Sequence, residues 1–373
     1  MTQQTDVTAE RDPLPKDVPL IPTEIAGNAP EPHIRGRSLY DLAERCSLSD
    51  LHALLFYGKL SSAELAADLQ SRVTELADVD PSVRERVAGL PWHLSLLEAL
   101  RFALLELNHF HEHRDDSHVE AAIDFCLRTQ TQLVQLLANR YCSNQGVPLP
   151  PAPAHLDYVD QFLLQFRGVP PEPLERQVVT AIVLLFATEP ECPADVAARA
   201  VAAGGGDLGT VLLAASSASR AEEIGRAAEE VFEFLDEIEC EADVETLLDR
   251  LTAGELKLPG VVPVERGEDD PRAEILSGYC LSLADDREQA GFERLVAQIE
   301  QAAPDSKLTV AWPLARIFHY LGLEHELIAP LLTIARFPAW TAHYLEQFGH
   351  LLNCGWRYIG PEFRLEEGED SQL

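Results

Sequence analysis

The sequence predicts an all-α protein. Three observations lead there. Apolar residues recur at spacings of three and four through most of the chain, the period of a helix with one buried face. No series of alternating apolar and polar residues marks out a sheet. Clusters of Pro and Gly punctuate the periodic stretches, as at "VPLPPAP" (147–153) and "AGGGD" (203–207).

The elements follow in order. Residues 1–22 are rich in Pro, Asp and Thr and read as a loose N-terminal tail. "PWHLSLLEALRFALLELNHF" (91–110) is apolar on most faces and reads as a buried helix. "NHFHEHRDDSH" (108–118) sets His109, His111, His113 and His118 among acids. Such alternation can bind a divalent ion, but a solvated loop is the default, and no metal is expected. "VVTAIVLLFA" (178–187) is the longest apolar run and is too short to cross a bilayer. "GRAAEEVFEFLDEIE" (225–239) continues a stripe formed by Ile224, Ala228, Val231, Leu235 and Ile238. "GFERLVAQIEQAAP" (291–304) and "LIAPLLTIARF" (327–337) have the same helical pattern. In "IARFPAWTAHYLEQ" (334–347), Arg336, Trp340 and His343 fall on adjoining faces of one helix. The acidic "RLEEGEDSQL" at the end reads as frayed.

Composition limits the function classes. The 373 residues, 46% of them apolar, suffice for one large or two ordinary domains with a sizeable core. The formal net charge of -33 argues against nucleic acid and against an anionic membrane surface, which call for clustered cations. The lysines are Lys16, Lys59, Lys257 and Lys307, so arginine supplies nearly all the positive charge. Such acidity suits solubility or a salty habitat and names no partner. The 7 cysteines are scattered without a Cys-x-x-Cys pair, which fits a reduced, cytoplasmic setting. The N-terminus has neither the basic nor the apolar region of a secretory signal.

Several stretches, in order, resemble a known family. "IRGRSLYDLAERCSLSDLHALLFYGKLSSAEL" (34–65), "LDYVDQFLLQFRGVPPEP" (156–173), "DDPRAEIL" (269–276), "RFPAWTAHYLEQ" (336–347) and "RYIGP" (357–361) are similar to segments of bacterial citrate synthases and 2-methylcitrate synthases. The resemblance implies a citrate-synthase-like two-domain helical fold. Residues 23–225 and 331–373 would form the large domain and 226–330 the small one. It also implies a homodimer, with a hetero-oligomer containing an active paralogue as a further possibility, and a reaction that joins an acyl-CoA to a 2-oxo acid, usually acetyl-CoA to oxaloacetate. No separate cofactor is called for.

That reaction makes physical demands. A carboxylate must remove a weakly acidic proton beside a thioester, and a donor must stabilise the enolate that forms. Another donor must polarise the oxo-acid carbonyl, and arginine forks suit the oxo-acid carboxylates. By ungapped matching, the family's enol-stabilising histidine falls at Ile224, its carbonyl-polarising histidine at Pro263 and its aspartate base at Ala311. The two histidines of its oxo-acid segment fall at Phe186 and Glu189 in "LFATEPECPAD" (185–195). An arginine lent by the neighbouring subunit falls near Asn353. Ile and Ala exchange no proton, and Pro lacks even a backbone N–H. No histidine lies between His155 and His319, so small shifts of the matching restore nothing.

Arg336 is the retained candidate, with two readings: an anion, such as a carboxylate or a CoA ester, held in the old cleft, or a structural ion pair. Arg272, in the "DPRA" run that lies near the family's coenzyme A region, reads equally as part of a helix start capped by Asp270. Trp340, His343, Glu346 and Gln347 read as core and dimer scaffold. His319 with Asp305, and Glu265, are alternative sources of chemistry in a rewired site. Cys192 shows no sign of activation and reads as an idle thiol. The expectation is a protein of the citrate synthase fold that has lost the citrate synthase reaction; the alternative is an acyltransferase of the same family with a rewired site.

Overall fold

The computed structural model describes residues 23–27, 31–109, 119–189, 192–239, 250, 253, 258–264, 270–284, 287–302 and 305–348. Helices dominate. The strands are two or three residues long and form two small antiparallel ribbons.

The first ribbon joins β1 (Ala26–Gly27), β2 (His33–Ile34) and β3 (Arg37–Ser38). Arg35 and Gly36 connect β2 to β3 with φ of 50° and 74°. A two-residue hairpin with both central residues at positive φ follows the strand twist. Arg35 tolerates this position because its backbone N–H donates to the Ile25 carbonyl (2.9 Å) and its guanidinium to the Leu55 carbonyl (3.1 Å).

Helices α1 (Leu39–Arg45), α2 (Leu48–Tyr57), α3 (Ala63–Glu75), α4 (Pro81–Ala88) and α5 (Leu96–His109) follow. Their starts carry the expected chemistry. Ser47 and Asp50 form a reciprocal capping box on α2, and Asp80 caps α4 ahead of Pro81. The long α6 (Val119–Gln145) is buried on nearly every face through its middle and packs against α3, α4 and α5. Its 27 residues span about 40 Å and form the axis of the core. Arg140, fully buried on it, donates to the carbonyls of Leu90, Pro91 and Leu94 and so ties down the α4–α5 connection.

α7 (Tyr158–Arg167) lies on α6, and α8 (Pro173–Leu185) is wholly buried from Val178 onward. α9 (Pro193–Ala203) and α10 (Leu208–Ala218) form a tightly packed pair. α11 (Ala221–Glu239) begins four residues earlier than "GRAAEEVFEFLDEIE" suggests, and Ile224, Ala228, Val231 and Leu235 are buried as the stripe requires.

The second ribbon pairs β4 (Val261–Pro263) with β5 (Ser306–Leu308). Between them run α12 (Pro271–Leu283) and α13 (Arg287–Ala302). α14 (Ala311–Tyr320) follows β5, and a single 3-10 turn (His325–Leu327) leads into α15 (Ile328–Ala335) and α16 (Phe337–Gln347). The ribbon is pinned to α14: Thr309 N–H donates to the Gly260 carbonyl (2.9 Å) and Trp312 Nε1 to that of Pro259 (3.0 Å). Buried Arg316 on α14 reaches Glu293 on α13 (2.6 Å) and Ser277 on α12 (3.1 Å), and Tyr320 donates to the same Glu293. One guanidinium thus holds three helices in register.

Residues 1–22, His111, His113, His118, Glu265, Asn353, "RYIGP" and the acidic end lie outside the described residues, as do Cys240 and Cys354. No helix among the described residues is long and apolar enough to cross a membrane.

A candidate cleft around Arg336

Arg336 stands at the junction of α15 and α16, capping the end of one and the start of the other. Pro338 explains the break. Within the first turn of a helix its missing N–H costs nothing, whereas inside a continuous helix it would. The junction turns the Arg336 side chain inward, where it is 1% exposed.

Its partners come from distant segments. Nη2 donates to Glu189 Oε2 (2.6 Å), just beyond α8, and Nη1 donates to Ser219 Oγ, at the end of α10. Arg220 reaches the other oxygen of Glu189 (3.5 Å) while its Nε holds Glu223 of α11 (3.0 Å). Burial pushes the Arg336 guanidinium below its ordinary value; the Glu189 carboxylate opposes that shift and the Arg272 charge adds to it. Arg336 Nε and the neighbouring Thr188 Oγ1 are buried with no hydrogen-bond partner among the described residues.

Around this pair lies the family-like signature. Trp340 Nε1 donates to Asp195 Oδ1 (3.1 Å). His343 Nε2 stands 3.8 Å from Asp195, and its Nδ1 stands 3.8 Å from Glu346. Burial pushes the Asp195 carboxyl up, with His343 and Arg336 pulling the other way. Trp340, His343 and Gln347 are core, as is Ala339. Glu346 instead accepts from the Thr23 hydroxyl (2.8 Å), the Glu24 N–H (2.6 Å) and Arg199 (2.8 Å), clamping the first described residues to α16. Cys192 is buried, and burial pushes its thiol up, away from the thiolate needed for reactivity.

Arg272 starts α12. Asp270 caps that helix through the Arg272 N–H (3.0 Å) and also binds the Arg272 guanidinium (2.9 Å). The guanidinium lies 4.7 Å from the centre of the Phe186 ring, a cation–π contact. Phe186, Glu189, Arg272 and Arg336 therefore belong to one neighbourhood.

The three positions matched to the acid–base groups offer no ionisable side chain. Ile224 is in the α11 core stripe at 9% exposure, and Ala311 begins α14 at 2%. Pro263 ends β4 opposite Ser306 and faces solvent. His319 lies eight residues beyond Ala311 on α14, about 12 Å along the helix, in an aromatic group with Phe232 and Tyr320. Asp305 offers its backbone carbonyl to the Val264 N–H. Among the described residues no group of three or more His, Cys, Asp or Glu side chains is placed to hold a metal, and His109 ends α5.

Sequence reasoning missed Ser219, Arg220 and Asp195. Asp195 was within reach, as the last residue of the "LFATEPECPAD" stretch. Ser219 and Arg220 carry no local signal, because they join the cluster only through the α10–α11 turn.

This architecture, an all-α bundle with short ribbons and an arginine buried at a helix junction, defines a citrate-synthase-fold protein. The family model described as "Citrate synthase, C-terminal domain" matches residues 17–358, and the chain belongs to the citrate synthase family. Citrate synthase 2 of Bacillus subtilis is 24% identical over 335 residues, covering 88% of this chain and 90% of that protein. Two solved structures show the same fold. Citrate synthase from Pyrobaculum aerophilum has a TM-score of 0.75 at 20% identity, covering 94% of this chain and 92% of that one. The Thermoplasma acidophilum enzyme, solved as a ternary complex with carboxymethyl coenzyme A and oxaloacetate, has a TM-score of 0.74 at 18% identity, covering 94% and 96%.

Proposed function

We propose that this chain is a member of the citrate synthase family that does not carry out the citrate synthase condensation and acts as a dimeric binding or partner subunit. The observation that carries this reading is the Glu189–Arg336 ion pair. A carboxylate of the chain lies on the arginine that would serve an incoming oxo acid, and a second anion there would meet Glu189 at close range. The positions matched to the base and the two donors support it. A methyl group at Ala311 cannot take the proton beside a thioester, and Ile224 cannot donate to an enolate oxygen.

The division into a large domain (23–225 and 331–373) and a small one (226–330) belongs to the same proposal, as do the homodimer and a hetero-oligomer with an active paralogue. The cytoplasm is the proposed setting. The purified chain, incubated with acetyl-CoA or propionyl-CoA and oxaloacetate, should release no free thiol above a paralogue-free blank. Clear turnover would overturn the proposal and restore an acyltransferase with a rewired site.

A further inference from the structure

Between α6 and α7 the chain runs through "VPLPPAP" (147–153), after Gly146, at φ 68°, has turned it out of α6. Every residue of this stretch either is a proline or precedes one. A proline ring fixes its own φ and drives the residue before it into the extended region. Local sterics alone therefore impose a polyproline II ridge on residues 147–153, about 20 Å long. The stretch belongs to no helix or strand, and none of its residues has positive φ.

Its exposure follows the period of such a ridge. Polyproline II repeats every three residues, so Pro148 and Pro151 share one edge and Leu149 and Ala152 another. Pro148 and Pro151 are exposed, whereas Leu149 and Ala152 are half-buried. One edge thus lies on the protein and the proline edge faces outward. The ridge is also anchored. Val147 N–H donates to the Cys142 carbonyl (3.0 Å), and buried Gln165 of α7 donates to the Pro150 carbonyl (3.4 Å). Just beyond, Gln70 of α3 donates to the His155 carbonyl (2.6 Å). The carbonyls of Pro148, Leu149, Pro151 and Ala152 accept no hydrogen bond from the described residues. Charge sets the same stretch apart: residues 141–156 contain no Asp, Glu, Lys or Arg, in a chain with 62 acidic side chains.

We propose that residues 147–153 are a docking ridge for a partner protein that reads polyproline II with an aromatic-lined groove. Two adjacent slots of that groove take Val147 with Pro148 and Pro150 with Pro151, one turn apart, and its donors meet the free carbonyls. Prolines and anchors fix the shape before binding, so little conformational entropy is left to lose. The rim of the groove is neutral or basic, since an acidic rim would meet a chain of net charge -33. The inference goes beyond the proposed loss of catalysis and does not depend on it.

A WW domain, which reads such ridges with aromatic side chains, is the probe. Isotope-labelled and first shown to bind a free proline-rich peptide, it is titrated with the intact chain and followed by NMR. Its groove resonances should shift, and the free peptide should reverse the shift. Pro148→Ala and Pro151→Ala should each weaken binding by roughly fivefold to thirtyfold. Pro153→Ala, on a different edge, should leave it unchanged. All three variants gain the same freedom in the unfolded chain, so a role confined to stiffening the connection would lower Tm alike and leave binding alone. No shift with the wild-type chain, or equal binding by the wild type and P148A/P151A, would overturn the proposal. So would self-association in sedimentation that P148A/P151A abolishes, because the exposed Trp92 of a second copy would then be the reader.

Discussion

At the scale of single residues, the side chains with the sharpest consequences are buried and polar. His52, on α2, is 6% exposed. Its Nε2 is 3.1 Å from Gln130 Oε1, and its ring stacks on Phe56. Burial pushes its pKa down to about 4, against partial support for the charged form from Gln130 and the more distant Asp157. The sign of the pH effect follows. Above pH 6.5 both folded and unfolded chains hold a neutral imidazole. As pH falls from 6.5 toward 4, the unfolded chain takes up a proton that the folded chain refuses. Stability is therefore lost across that window, by about 3 kcal/mol in total. Urea unfolding at a series of pH values should show His52→Gln with a visibly flatter profile than the wild type between those limits. Parallel profiles would mean that His52 is solvated or finds another partner. Nothing in "SDLHALLF" distinguishes this histidine from a surface one; its burial comes from α6, some eighty residues away. Glu189 was more legible, because a carboxylate stands where the resemblance places a histidine. Its partners Ser219 and Arg220 were not, since no pattern in sequence reports on a turn between helices.

At the scale of elements, α11 and α15 approach closely at one glycine. A Cβ on Gly225 would lie 2.7 Å from the Ala329 Cβ and 3.2 Å from its backbone nitrogen. The obstacle is the body of α15, which cannot swing aside as a long side chain would. In an exposed helix, Gly→Ala gains up to about 1 kcal/mol. Here the clash should win, so Gly225→Ala should destabilise by roughly 1–3 kcal/mol. Adding Ala329→Gly should return only part of it, because the α15 backbone stays in place. Chemical denaturation of the two variants checks both signs, and a stabilised Gly225→Ala would show that the helices can separate. The helices themselves were legible because each long one repeats its apolar stripe several times, as α11 does through Ile224, Ala228, Val231 and Leu235. The ribbons were not. Two or three residues contain no period, and β4 pairs with β5 only after α12 and α13 have intervened.

At the scale of the molecule, the charge imbalance governs the response to solution conditions. The chain carries 62 acidic residues against 29 Lys and Arg, and many arginines are already engaged. Arg72 meets Glu120 (2.9 Å) and Asp124 (2.7 Å), Arg176 meets Asp157 and Asp160, and Arg199 meets Glu346. The remaining carboxylates therefore repel one another across the surface, which weakens the compact state. Salt screens charges separated by more than about 10 Å at 0.1 M and about 3 Å at 1 M. The exposed repulsions are thus the first to fade, while buried pairs such as Arg336–Glu189 and Arg316–Glu293 are screened far less. Tm should rise steadily with sodium chloride from low salt to the molar range. Potassium chloride should act alike, since screening depends on charge and not on a specific cation site. A flat or falling Tm would mean that the surface ion pairs, which salt weakens, outweigh the repulsion. Acid offers the complementary probe. Mild acidification leaves most carboxylates ionised, because their ordinary values lie near 4, so repulsion persists while His52 already destabilises the fold. Salt should accordingly raise Tm at pH 5 as well as at pH 7, and the His52 loss should remain at both salt extremes, because its cause is burial.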